Sequence, residues 1–480
     1  MLLLKKDRPS GPYDVVVIGS GLGGMTAANM LARQGHKVLL LEAHNKLGGL
    51  ATWFRRPDGK IFDVSLHGFP AGMIKTCRRY WNKEIADRIV RIKKVRFKNP
   101  QFDLDTDFTE EDYKRILREK FGLTREVAQG FFDALREMNF YDRPETTIGE
   151  LFNNFFPGRN DIVRFLLEPI TYANGSTLED PAIAYGIVFS NFMNKGVYIF
   201  QGGTDLMIEL MKAELLKNGV DIKLHSEVEK ILVENRQVTG VRIAGDEIKA
   251  RAVLSNAHLI STIFKLVGQE HFSPTFTKIA QAIRPNTSSC QVYMGFKQGE
   301  SIPYMGDLIF CSKAQQFSTE MLLNPAVEGQ TFSFYYPEMR AENGGVYSVV
   351  SSSNARYEDW TNLSTEDYRA RKQHLIDRAL HDLEELVPGV RSKIDFTEAA
   401  TPLTLERFTR HPMGASFGTK FEGLEASKKL SEEISGLYHA GSVGIIMSGW
   451  LGAANYGAIQ SHAVDTYLTK QTGVAHDTIS

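Results

Sequence analysis

Hydrophobic and polar positions change period several times along this chain. Val15-Val16-Val17-Ile18 is an unbroken apolar run, and Val38 to Leu41 is another. Short runs of this kind, bounded by glycine and charged residues, predict strands buried on both faces. Between them the apolar positions fall at helical spacing, so residues 14–42 predict strand, glycine turn, helix, strand. Pro57-Asp58-Gly59 separates two short extended runs and predicts a hairpin. Thr109 is a candidate N-cap with Asp112 three residues on, which predicts a helix over 109–121. Helical patterning continues to about residue 170 and carries many aromatics: Phe131, Phe132, Phe140, Tyr141, Phe152, Phe155, Phe156 and Phe165. Residues 196–224 read again as strand, glycine turn, amphipathic helix, strand, and 225–257 as alternating short strands ending in an apolar one. Further strands are expected at Gln291 to Phe296, Thr331 to Tyr335 and Tyr347 to Ser351, with a helix from Asp367 to Leu386. From about residue 434 the chain is glycine-rich and then helical.

Composition narrows the classes. A chain of 480 residues exceeds one compact core and implies two or three domains. The net charge of −1 excludes general nucleic-acid binding. Cys77, Cys290 and Cys311 form no C-x-x-C pair, so a metal cluster or redox disulfide is not expected, and sparse cysteine fits a reducing compartment. The first strand begins too early for a cleaved signal, which points to the cytoplasm. The uncharged stretch from Ile434 to Val464 resembles a membrane span on hydropathy alone. Its six glycines, with His439, Asn455 and Gln460, read instead as a cofactor cradle.

The turn Gly19-Ser20-Gly21-Leu22-Gly23-Gly24 carries the chemistry. In a strand–turn–helix context such glycines let the chain turn tightly, let the backbone approach a pyrophosphate, and let helix and strand pack closely. The helix N-terminus offers unpaired N–H groups to the phosphates. Glu42, ending the second strand, stands where a carboxylate accepts ribose hydroxyls. FAD is favoured over NAD by three features: no second glycine fingerprint downstream, an extra pair at Gly48-Gly49, and the C-terminal glycine cluster.

These residues together resemble the phytoene desaturase, carotenoid isomerase and retinol saturase group of flavoproteins, relatives of the amine oxidases. The resemblance rests on the opening fingerprint with Glu42, on Gly48-Gly49, on Gly59-x-x-Phe62-Asp63, and on Gly196 to Gly203 with the following helix. It continues through His225 to Ile231, Thr401-Pro402 and Gly436 to Gly441. It implies an α/β fold in which a discontinuous Rossmann-type FAD-binding domain (1–75, 196–260 and 400–480) carries an inserted mixed α+β substrate-binding domain (76–195 and 261–399). It implies that Gly19, Gly21, Gly23, Gly24, Glu42 and Ala43 hold the ADP half, and that Gly48 and Gly49 line the route to the flavin. Val228 would meet the adenine through its backbone, Gly441 and Ser442 the pyrophosphate and ribityl chain, and Gly449, Leu451, Gly452 and Ala453 the flavin ring. The chain departs from the family at Leu50, where arginine is common, at Ser65-Leu66-His67-Gly68, and at Met447-Ser448, where the family's flavin turn has proline.

Flavin chemistry asks little of protein side chains. His67 is the candidate acid–base group, because it follows the segment expected near the flavin and imidazole titrates near neutrality; the competing role is a hydrogen-bonded structural histidine. His439 is expected at a strand end, and Trp450 either beside the flavin or in the core. The aromatics of residues 131–200 either wall a tunnel for a long apolar substrate or form core. Residues 88–98, RIVRIKKVRFK, read as one strand with a solvated face or as a basic patch for peripheral contact with an anionic membrane. The expected partner is a hydrophobic small molecule or lipid. The readings are a desaturase or saturase of a long apolar substrate, a redox-neutral polyene isomerase, an amine-oxidase-like flavoenzyme, and a Rab-escort-like lipid-binding protein. The electron acceptor is not specified by any residue.

Overall fold

The computed structural model describes residues 12–138, 146–326, 328–343 and 347–472. The opening strand, Tyr13–Ile18, lies inside a sheet ordered Asp221–Lys223, Val38–Leu41, Tyr13–Ile18, Asp246–Ser255. All of these pair in parallel, and Leu437–His439 adds to the far side of Asp246–Ser255, also in parallel. An antiparallel flap of Lys230–Glu234 and Gln237–Ile243 extends the N-terminal part of Asp246–Ser255. Residues close in space thus come from the start, the middle and the end of the chain.

Both faces of this sheet are covered, which is why its strands are unbroken apolar runs. Val15 and Val17 point into one core with Met25, Leu31 and Val464. Val16 and Ile18 point into another with Phe276, Leu430 and Ile434. The helix Leu22–Arg33 packs on the first face against the last helix, Gly449–Thr472. Among the described residues, no helix is long and apolar enough to cross a membrane; residues 434–464 instead form a short strand, a loop and the start of the last helix.

The second sheet has seven strands, in the order Ile394–Ala400, Ser288–Phe296, Ser348–Ala355, Gly329–Tyr335, Leu308–Ser312, Val95–Lys98, Asp103–Thr106. The helix Thr365–Leu386 covers one face, where Leu375, Ala379 and Leu383 meet Val292, Phe332 and Val349. Helices spanning residues 110–195 stand beyond this sheet. The helix from Glu110 begins at a Thr109 cap that accepts from the Asp112 N–H, a contact worth about 1 kcal/mol. The hairpin around Pro57 forms as Trp53–Arg55 against Ile61–Asp63.

Two expectations are corrected. Residues 88–98 are not one strand. Ile89–Arg91 pairs with Val197–Phe200 in a small sheet, whereas Val95–Lys98 joins the seven-stranded sheet beside Leu308–Ser312. The break occurs where the Lys93 and Lys94 amides donate to the Asp307 carboxylate at 2.7 and 3.1 Å. Arg91, Lys94 and Arg96 pair with Asp107, Asp105 and Asp103. The aromatics of the helical region mostly pack on each other: Phe131 contacts Phe132, Phe152, Phe155 and Phe156, and Phe165 stacks on Tyr113 and Phe121. Those residues are core, whereas Tyr172 and Phe192 of the same stretch line a cavity. Phe140 and Tyr141 lie outside the described residues.

A buried ion cluster ties the two halves together. The Arg340 guanidinium bonds Asp63 at 2.6 Å, the Asp205 carboxylate and the Gly202 carbonyl, while Asp63 also accepts from the Thr204 N–H at 2.7 Å. Removing one member leaves buried charge without a partner. Arg340→Ala is expected to lower unfolding stability by about 3–5 kcal/mol, read by denaturant titration, and Arg340→Lys to recover only part of it because lysine cannot fork between two carboxylates.

Candidate functional site

The glycine turn is built by contacts that no side chain could share. Gly19 turns with φ +88° at the end of its strand. A Cβ on Gly21 would meet Asn256 Oδ1 at 2.6 Å, one on Gly23 the Ala440 carbonyl at 2.3 Å, and one on Gly24 the Gly19 carbonyl at 2.2 Å. Helix Leu22–Arg33 starts at Gly21 without a side-chain cap and with no acidic residue in its first turn. Its leading N–H groups therefore remain available to an anion, and the positive end of the helix dipole faces the same way. Gly48 bridges to Gly21, and Gly49 follows in the left-handed region at φ +63°. The Glu42 carboxylate accepts from the Ser20 N–H at 2.8 Å, the Ser20 hydroxyl at 2.5 Å and the His44 N–H at 2.7 Å. It is fixed at the C-terminal edge of the parallel sheet, where open α/β sheets bind nucleotides.

From here a cavity of about 660 Å³ runs into the second half of the molecule. Gly19, Gly21, Gly23, Glu42, Ala43, Gly48, Gly49, Val228, Ser442, Gly449, Leu451, Gly452, Ala453 and His67 all line it. Gly24 and Gly441 do not. Gly24 is the helix–strand contact just described, and a Cβ on Gly441 would meet the Ala257 carbonyl at 2.5 Å and His439 Nε2 at 2.7 Å. Both are packing glycines. At the other end, Gly452 lies under the Ile446 carbonyl, which a Cβ would meet at 2.3 Å. Trp450 stacks on Phe69 with centroids 5.4 Å apart, donates to the Ser65 carbonyl at 3.3 Å, and lines the cavity while buried.

The site suits an adenine dinucleotide flavin. Its donors are backbone N–H groups at an uncapped helix end, its acid is held rigidly, and its far end is a close-packed glycine loop.

Sequence reasoning missed Asn256, His258 and His411. Asn256 Nδ2 donates to the Ala440 carbonyl at 2.7 Å, joining the opening turn to the C-terminal segment. Its signal was its place one residue beyond the strand Asp246–Ser255, on the ligand-binding edge. His258 and His411 lie 5.4 Å apart between centroids and both line the cavity. His258 Nδ1 accepts from the Ile260 N–H, so Nε2 carries the proton toward the Gly418 carbonyl. His381, Asp382 and Glu385 also cluster, but Lys313 Nζ already sits on both carboxylates at 2.8 and 2.9 Å.

Of the two roles weighed for His67, its contacts are those of a hydrogen-bonded histidine. Nδ1 shares a proton with Ser333 Oγ at 2.9 Å, and Nε2 is buried with no partner. Burial pushes its pKa down to about 4, against a weak upward pull from Asp63. Near neutrality it is an uncharged imidazole that keeps one ring N–H. Burial also holds His258 at about 3 and His439 at about 4; His439 ends its strand as expected, bonded to Ser427 and the Ala257 carbonyl.

For these histidines the folded pKa is below the unfolded value, so the unfolded chain binds more protons between the two. Stability is full above the unfolded value of about 6.5 and declines as pH falls toward 4, by up to about 1.4 kcal/mol per pH unit for each group. His67→Gln is expected to flatten this decline between pH 6 and 5 by about one proton's worth, read from denaturant midpoints across pH. Gly21→Val is expected to yield protein with retained helical circular dichroism and without bound nucleotide, read from the absorbance of the purified chain.

The model of the flavin containing amine oxidoreductase family matches residues 22–461. The chain is similar to the chloroplastic prolycopene isomerase of Daucus carota, 25% identical over 95% of this chain and 80% of that one. It is also similar to the all-trans-retinol 13,14-reductase of Danio rerio, 23% identical over 92% of this chain and 84% of the relative. Among solved structures, cyclohexylamine oxidase from Brevibacterium oxydans IH-35A superposes with a TM-score of 0.66 at 13% identity, covering 97% of this chain and 100% of that one. A family match across residues 22–461, on a fold whose parallel sheet takes strands from the start, the middle and the end of the chain, places it in the flavin containing amine oxidoreductase family as an FAD-dependent oxidoreductase.

Proposed function

We propose that this enzyme adds or removes hydrogen across carbon–carbon bonds of a long apolar substrate such as a polyene, an isoprenoid or an acyl chain. The observation that carries the reading is the unlike chemistry of the two cavity ends. Its lining carboxylates, Glu42 and Glu227, lie at the nucleotide end. Beyond Gly449–Ala453 the helices contribute Ile170, Ile187, Val188 and Phe192, and the sheet Leu308 and Phe310. A protonated amine would find no carboxylate there, which disfavours an amine substrate. The polyene names of the two relatives agree with an apolar one.

The proposed roles follow from position. Gly19, Gly21 and Gly23 hold the pyrophosphate on backbone donors, and Glu42 and Ala43 hold the ribose. Val228 meets the adenine, Gly48 and Gly49 pass the chain of the cofactor, and Ser442 with Gly449, Leu451, Gly452 and Ala453 cradles the ring. When bound, FAD supplies hydride acceptance or donation at N5. The helices and Trp450 exclude water from the reacting carbons. His67 enters as a neutral hydrogen-bonding group. The proposed partition assigns 1–75, 196–260 and 400–480 to the FAD-binding domain and 76–195 with 261–399 to the substrate domain; within the latter, Ile263 and Phe276 pack on the nucleotide sheet. Because Arg91, Lys94 and Arg96 are already paired with aspartates, membrane contact through residues 88–98 is left out of the proposal.

A redox-neutral isomerase on the same site is the second reading, favoured by the coverage of the prolycopene isomerase match. Anaerobic mixing with a carotenoid polyene separates the two. Net desaturation bleaches the oxidised flavin in proportion to product, and net saturation reoxidises a prereduced flavin. An isomerase shifts the polyene spectrum and returns the flavin to its starting state. Peroxide release with a simple alkylamine, and no response to any polyene, would overturn the proposal.

A further inference from the structure

The seven-stranded sheet turns two unlike faces outward. Toward the helix Thr365–Leu386 it presents the apolar Cys290, Val292, Phe332 and Val349, and the polar side chains among them are paired, Ser351 donating to Gln330 and Gln330 to Asp382 of that helix. Toward the cavity the alternate positions present Ser289, Gln291, Thr331, Ser352 and Asn354. Strand register joins them into one strip: Ser289 lies opposite Asn354, Gln291 opposite Ser352, and Thr331 opposite Ser352 on its other side.

The strip is not explained by folding. Strand interiors favour β-branched and aromatic residues; the polar side chains Gln330 and Ser351 on the other face are paired, whereas several in this strip are not. Gln291 is 6% exposed. Its Oε1 accepts from the Tyr293 hydroxyl, and among the described residues its Nε2 has no hydrogen-bond partner. The hydroxyls of Ser289 and Ser352 have none either, and Asn354 spends its amide donor on the Thr171 carbonyl at 2.9 Å, leaving Oδ1. These donors open onto the cavity instead of being paired within the sheet, so an apolar ligand that displaced water from the strip without replacing those hydrogen bonds would leave them unmade at a cost, which points to a ligand that completes them.

The strip is also uncharged. The charged groups lining the cavity other than Glu42 are Glu227, Lys265 and Arg410, and Lys265 and Arg410 both pair with Glu227 at the nucleotide end. A carboxylate, phosphate or ammonium set against the sheet would be desolvated without a counter-charge.

We propose that this strip binds an uncharged oxygen function, a hydroxyl or carbonyl, carried by an otherwise apolar substrate. Gln291 Nε2 and the serine hydroxyls donate to it, and a hydroxyl donates in turn to Asn354 Oδ1. The inference rests on the apolar-substrate reading and adds a polar anchor that fixes which carbons lie at the flavin end.

The test is a head-group series on one chain: geranylgeraniol, the matching hydrocarbon, the acid and the amine. Equilibrium binding to the holoenzyme is read from perturbation of the flavin absorbance. The alcohol is expected to bind about tenfold more tightly than the hydrocarbon, as one or two neutral hydrogen bonds would give, and more tightly than the two charged forms. Gln291→Leu with Ser352→Val is expected to abolish the preference for alcohol over hydrocarbon while leaving flavin content unchanged. An alcohol that binds no better than the hydrocarbon overturns the inference. So does a variant that keeps the preference, or one that loses its flavin, which would assign the strip to the cofactor. Failure of all four to bind overturns the apolar-substrate reading itself, whereas equal binding of all four overturns only the anchor.

Discussion

The molecule depends on how closely two helices approach. Helix Leu22–Arg33 and helix Gly449–Thr472 meet at glycine: a Cβ on Gly457 would lie 2.1 Å from the Gly23 carbonyl, and one on Gly23 would lie 2.3 Å from the Ala440 carbonyl and 3.1 Å from that of Ala453. Only backbone fits there. The approach brings the opening glycine turn, from the start of the chain, against the glycine-rich C-terminal segment, and in the proposed arrangement these hold the phosphates and the flavin ring. Asn256 closes the third side from the middle of the chain by bonding Ala440. A side chain at any of these glycines would separate segments that have to be within one cofactor's length of each other.

That dependence explains what was legible beforehand. The opening turn, the Thr109 cap and the Pro57 hairpin have local causes, a φ angle, a side-chain acceptor and a turn dipeptide, so their residues announce them. The run at 88–98 failed for the opposite reason. Its alternation is real, but its pairing partners, Val197–Phe200 and Leu308–Ser312, lie far along the chain and belong to different sheets. Asn256 was passed over because its place after a strand is a weak signal until the partner carbonyl of Ala440 is known. Gly24 is the position at which the motif already calls for close helix–strand packing, whereas Gly441 was placed beside the cofactor because spacing does not distinguish a glycine that faces a ligand from one that faces a neighbouring strand.

Histidine shows the same limit in electrostatic terms. From sequence, His67 carries a side chain that ordinarily titrates near neutrality; in place, it is half-buried with Nε2 enclosed, Nδ1 bonds Ser333, and desolvation pulls its pKa down to about 4. The pattern extends to His258 and His439, each neutral for the same reason. Charge around the cavity is confined to the nucleotide end, where Glu42 is tied by Ser20 and His44, and Glu227 by Lys265 and Arg410.

Such a distribution suits a reaction in which the cofactor carries the electrons. A hydride moving between carbon and a flavin gains little from a nearby ionised side chain, and water admitted by one would compete for the reactive intermediate. For the apolar chain we propose as substrate, what remains to be decided is which carbon stands at the flavin. Apolar walls cannot decide it, because sliding such a chain by one carbon changes the buried area hardly at all. A fixed row of neutral donors and acceptors can, because each slip leaves Gln291 or a serine unpaired again. The polar strip on the sheet is thus the part of this cavity able to set register, and the absence of charge from it keeps that selection from drawing in water.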